Sequence, residues 1–89
     1  LEEFLVSIAQ QLVEGLGGAE NIEDLEPCIV RIRAIVKDPA EVDEAIIRNT
    51  NPLGLVSSGN YVQIIVGKDS DALVEEMQQI IRELAVPVE

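Results

Sequence analysis

The sequence contains no histidine and no tryptophan, and only one phenylalanine, one tyrosine, one methionine and one cysteine. Each shortage removes a class of chemistry. Without histidine the commonest general base and any Ser–His–Asp triad are missing, and a zinc site would fall to carboxylates and one thiol. A single cysteine forms no internal disulfide, which fits a reducing compartment. Basic residues are scarce too. Six Lys and Arg against seventeen Asp and Glu leave a net charge of −11, which repels nucleic-acid phosphates and anionic membrane surfaces alike. No apolar run reaches the roughly 20 residues of a membrane span, and no basic-then-apolar signal peptide opens the chain, so a soluble domain with no direct membrane insertion is expected. The first residue is leucine, which reads as a piece of a longer polypeptide.

What is present is largely aliphatic. With 47% hydrophobic residues and almost no aromatics, the 89 residues support one modest core, and 1–89 is read as a single domain. Leu1, Phe4, Leu5, Ile8, Leu12, Val13 and Leu16 recur at spacings of three and four, predicting an amphipathic helix that Gly17-Gly18 ends. Strands are expected over about 22–28 and 30–37. Asp38-Pro39-Ala40-Glu41 reads as the start of a short helix to about residue 48, with Asp38 and Glu41 as a capping box and Val42, Ala45 and Ile46 as the buried stripe. Asn49-Thr50-Asn51-Pro52 stops it. Leu53 to Ser57 and Tyr61 to Val66 form a hairpin about Ser58-Gly59-Asn60, where Gly59 can take positive φ. A last helix opens at Asp69 or Ser70, carries Leu73, Met77, Ile80, Ile81 and Leu84 as its stripe, and has Pro87 beyond its end. The order α-β-β-α-β-β-α with short connections predicts an α+β fold. Its four-stranded, mainly antiparallel sheet has three helices on one face and leaves the other free for a partner.

Against so acidic a background, two of the four arginines lie within five residues of the only cysteine, in Cys28-Ile29-Val30-Arg31-Ile32-Arg33. Pro27 removes an amide donor and fixes the backbone before the thiol, so Cys28 is expected to end a strand. If the following strand begins at residue 29 or 30, Val30, Ile32, Ala34 and Val36 share one face and Arg31 and Arg33 the other. Two forked guanidinium groups beside a thiol suit a dianion built on sulfur, in a geometry that lysine does not match. Gln63, on the outer face of the later strand, is expected near the arginines. For each residue there is also a plain structural reading: Cys28 as a small buried hydrophobe, Arg31 and Arg33 as solvated strand residues, Gln63 as an exposed one. The Gly54 to Gly59 run lacks the lysine and spacing of a phosphate-binding loop.

Taken together, these residues resemble the enzyme IIB domain of the phosphoenolpyruvate-dependent sugar phosphotransferase system, glucose and N-acetylglucosamine type, over nearly the whole chain. Leu16-Gly17-Gly18-Ala19-Glu20-Asn21-Ile22 is similar to the family's leucine-glycine-glycine segment. Cys28-Ile29-Val30-Arg31-Ile32-Arg33 is similar to its phosphocysteine signature. Asp38-Pro39 through Val42-Asp43, Gly59 through Gly67, and Asp71 match in type and order. Glu26 stands where the family often has aspartate, and Val30 where it usually has threonine.

The resemblance implies a phosphoryl carrier. A phosphohistidine-bearing IIA domain would hand its phosphoryl group to Cys28, which would pass it to a sugar bound by a membrane IIC domain, at the cytoplasmic face of the bacterial cell membrane. Arg31 and Arg33 would be charge stabilisers, and Ile29, Val30 and Gln63 would contact the phosphoryl group, the first two through turn amides. Glu26 and Pro27 would shape the surface that partners touch. No metal or organic cofactor is implied. Two other readings stay open at this level: a weakened, regulatory docking module of the same fold, kept alive by Val30, and a thiol sensor relying on Cys28 alone, against which the lack of a resolving cysteine counts.

Overall fold

Ser7 opens the first helix in the computed structural model, which describes residues 7–85. Its hydroxyl accepts from the Gln10 amide at 3.1 Å while the Gln10 side-chain oxygen accepts from the Ser7 amide at 3.2 Å, a reciprocal capping box at the start of α1 (Ile8–Gly15). Leu12, Val13 and Leu16 are buried as their spacing predicts; Ile8 is exposed and Ala9 takes its place inside. Leu1, Phe4, Leu5 and Pro87 lie outside the described residues.

Four strands follow the expected order: β1 (Ile22–Cys28), β2 (Arg31–Val36), β3 (Gly54–Ser58) and β4 (Tyr61–Ile65). Every pairing is antiparallel, and the order across the sheet is β1-β2-β4-β3, so β1 is an edge strand that tolerates Pro27. Gly59, at φ 59°, starts the two-residue turn of the β3–β4 hairpin. The neighbouring Asn60 side chain donates to the carbonyls of Val36 at 2.7 Å and Lys37 at 3.1 Å, pinning that turn to the far end of β2.

The segment between β2 and β3 departs from the expected single helix. Asp38 does cap, accepting from the Ala40 amide at 3.0 Å, but only for a 3-10 turn over Pro39–Glu41. A separate helix α2 (Glu44–Arg48) then starts under Asp43, whose carboxylate accepts from the amides of Ala45 and Ile46. A second capping aspartate and the extended backbone of Val42 interrupt the helix that Glu41 was expected to reinforce. The buried residue is consequently Ile47, while Ala45 is exposed and Ile46 half-buried.

The last helix, α3 (Ser70–Ala85), is preceded by a 3-10 turn over Gly67–Asp69. It buries Val74 and Met77 and half-buries Leu73, Ile80 and Ile81, whereas Leu84 is exposed. Gln78 donates to the Leu25 carbonyl at 2.9 Å, fastening α3 to the edge strand. Between helices and sheet, Leu12, Leu16, Ile32, Val36, Ile47, Val62, Ile64, Val74 and Met77 fill the core, each almost wholly inaccessible.

Asn21 locks the start of β1. It is buried, donates to the carbonyls of Leu16 at 2.7 Å and Asp38 at 3.0 Å, and accepts from the Asp38 amide at 2.9 Å. Gly17, at φ 105°, must be glycine twice over, because a Cβ there would lie 2.4 Å from the Asn21 amide nitrogen. Asn21→Ala removes three hydrogen bonds to backbone groups, of which the Asp38 carbonyl still accepts from the Glu41 amide at 3.1 Å, and is expected to cost about 2–4 kcal/mol in urea denaturation. A loss under about 0.5 kcal/mol would contradict this role.

Candidate functional site

The hairpin joining β1 to β2 closes on the pair Cys28 and Arg31, so Ile29 and Val30 are its two central residues. Both sit at positive φ, 30° and 56°, the combination that a type I′ connection requires and that Asn-Gly normally supplies. Val30 is therefore not the first inward residue of β2 as the alternation suggested. It lies in the turn and is 41% exposed, and Ile29 beside it is 85% exposed. The reason is geometric: two antiparallel strands meeting at adjacent positions leave only two residues for reversal, and alternation cannot continue through them. Left-handed backbone is costly for β-branched residues. It is held here from outside, since the Val30 carbonyl accepts from the amides of Val66 at 2.9 Å and Gly67 at 3.0 Å. Val30→Gly is expected to raise stability by about 0.5–1 kcal/mol, strain relief exceeding the added unfolded-state entropy. A drop in the urea midpoint would show that the turn stores no strain.

Register then assembles the outer face of the sheet. Glu26 pairs with Arg33, Cys28 with Arg31, and Arg33 with Gln63, so Glu26, Cys28, Arg31, Arg33 and Gln63 all project from the side opposite the helices. Ile32, Ala34 and Val36 project into the core between them. Cys28 ends β1, as expected after Pro27, and is half-buried: neither sealed in the core nor fully open.

The two guanidinium groups have different holders. Arg31 Nη1 donates to Gln63 Oε1 at 2.9 Å. Arg33 Nε donates to the Tyr61 hydroxyl at 2.8 Å, with Cζ 5.6 Å from the centre of the Tyr61 ring, and Nη1 lies 3.7 Å from Glu26 Oε2. The Tyr61 hydroxyl first, then hydrogen bonding with the Cys28 side chain, and more weakly the Glu26 carboxylate, raise the Arg33 pKa above its ordinary value. Arg33 therefore stays cationic across the working pH range, beside the thiol.

The structure brings together Glu26, Cys28, Arg31, Arg33 and Gln63 of the predicted set, with Ile29 and Val30 at the rim. Pro27, paired with inward-facing Ile32, alternates onto the opposite face from the thiol. Tyr61 is the residue that sequence reasoning left out of the site. Its only signal was a place on the same strand face as Gln63. The exposed side chains of Ile29, Val30 and Leu53 add an apolar component to a surface whose charge is mixed.

The chain is similar to proteins of the phosphotransferase system. A family model described as phosphotransferase system, EIIB matches residues 10–43. The N-acetylglucosamine-specific EIIB component of the phosphotransferase system of Streptomyces coelicolor is 38% identical over 76 residues, covering 85% of this chain and 99% of that protein. The N-acetylglucosamine-specific EIICB component of Bacillus subtilis is 38% identical over 72 residues, covering 80% of this chain and 16% of that longer protein. Among solved structures, one domain of a phosphotransferase system IIabc component from Clostridium difficile superposes with a TM-score of 0.65 at 22% identity, over 89% of this chain and 80% of that one, and so shares the fold.

Proposed function

The chain belongs to the phosphotransferase system EIIB family, phosphoryl carriers of sugar uptake, and from that premise we propose that Cys28 is its phosphorylation site. The observation that supports this most is the half-exposed Cys28 on the same free sheet face as two arginines, each with a dedicated neutral hydrogen-bond partner. The Cys28 thiolate attacks phosphorus on a phosphohistidine of a IIA domain. The S–P bond forms as the P–N bond breaks, and its electron pair leaves with the imidazole. Arg31 and Arg33 hold the resulting thiophosphate dianion with charge-assisted hydrogen bonds, to which the backbone amides of Ile29 and Val30, in the turn directly after Cys28, add theirs. In the second step a sugar hydroxyl attacks phosphorus, the O–P bond forms, the S–P bond breaks, and the hydroxyl proton leaves to solvent or a sugar-side base.

The family implies IIA and IIC partners. The finer reading is a phosphorylated IIA as donor and a sugar-loaded membrane IIC as acceptor, both meeting the surface that carries Ile29, Leu53 and Glu26. N-Acetylglucosamine is the sugar that the Streptomyces and Bacillus relatives suggest. No helix among the described residues is long and apolar enough to cross a membrane, and a place at the cytoplasmic face beside IIC fits this chemistry. Incubation with phosphorylated IIA followed by intact-mass measurement and peptide mapping tests the proposal. One phosphoryl group per chain, mapped to Cys28, is expected; no gain in mass would overturn it.

A further inference from the structure

We propose that Tyr61 is a positioning residue for phosphoryl transfer, fixing the Arg33 guanidinium through Nε so that its two terminal nitrogens are left for the group carried on Cys28. The inference rests on the carrier reading of Cys28 and deepens it. A guanidinium has five N–H donors in a rigid plane, and whichever one is spent sets the direction of the other four. Here the spent donor is Nε, bound to the Tyr61 hydroxyl at 2.8 Å across the β2–β4 pairing. The carboxylate paired with it among the described residues, Glu26, stands 3.7 Å from Nη1, beyond a good hydrogen bond, and both side chains are solvent-accessible. That contact is loose enough for a dianion on sulfur to displace it, whereas the tyrosine contact need not break. The tyrosine also brings no competing charge: a carboxylate in its place would neutralise Arg33 before the phosphoryl group arrived. Arg31 also has a neutral partner, Gln63, but spends a terminal nitrogen, Nη1, on it, so the Nε anchoring is particular to Arg33.

The position of the tyrosine follows from register. Tyr61 pairs with Ile35, one step along the sheet face from the Arg33–Gln63 pair, so the long arginine side chain reaches it diagonally.

The test compares Tyr61→Phe, which keeps the ring, with Tyr61→Leu, which loses it, in phosphoryl acceptance by Cys28 from phosphorylated IIA. Both are expected to lose about tenfold in the rate at saturating donor, with the donor KM changed less than about twofold. In an Arg33→Lys background, Tyr61→Phe should add less than about twofold, because lysine has no Nε–H to hold. Proton exchange of the Arg33 Nε–H, followed by NMR in the unphosphorylated domain, should speed up in Tyr61→Phe. A Tyr61→Phe variant that matches the wild type in rate, or that loses as much with Arg33→Lys as without it, overturns the role of Tyr61 alone. A wild-type domain that takes no phosphoryl group overturns the carrier reading, and this role with it.

Discussion

Cys28→Ser is expected to lose phosphoryl acceptance by more than about 10³-fold while unfolding within about 0.5 kcal/mol of the parent. Serine fits the end of β1 as well as cysteine does, and Cys28 is only half-buried, so the fold has little reason to notice the exchange. The chemistry does. A serine hydroxyl needs a base to become a nucleophile, and the chain has no histidine to serve as one. The measurement is a time course of intact mass with phosphorylated IIA, beside a urea melt of each protein. A Cys28→Ser variant that still gains a phosphoryl group at the parent rate would move the phosphorylation site elsewhere. A parent that binds IIA yet gains nothing would favour the docking-module reading.

Arg31→Gln and Arg33→Gln are each expected to slow phosphoryl acceptance by about 10²-fold, and Lys at either position to restore only part of that. Both side chains lie on the free face, so their loss leaves the core intact. What disappears is charge facing the developing dianion, together with the forked donors that a point-like ammonium does not reproduce. The two should be distinguishable. Arg33→Gln also frees Tyr61 and Glu26, while Arg31→Gln frees Gln63. Initial rates at saturating donor, set beside unchanged urea midpoints, decide the matter. A variant that loses rate and stability together would place the arginine in the scaffold.

How much of this was legible beforehand depends on the range of the interaction that sets each feature. Ile32, Ala34 and Val36 facing in with Arg31 and Arg33 facing out follows from a two-residue period, which any strand imposes on its own side chains. Gly59 in its turn and Asn49-Thr50-Asn51-Pro52 ending α2 are equally local. The Pro39–Glu41 turn misled because Asp38 and Asp43 are both competent caps, and the choice between one helix and two turns on where the chain must pack. Asp43 is held there in part by α1, its amide donating to the Gly15 carbonyl at 2.7 Å.

Residue order alone determined the four strands and their order, the apolar face of β2, and that one thiol and two arginines belong to one neighbourhood, because those properties arise within a few residues of chain. Only the assembled sheet decided that Tyr61 holds Arg33 and Gln63 holds Arg31, contacts spanning 28 and 32 residues. It also decided that Ile29 and Val30 turn through left-handed backbone beneath the amides of Val66 and Gly67. Strand register and the meeting of distant ends are set by the packing of the whole, and no local pattern encodes them.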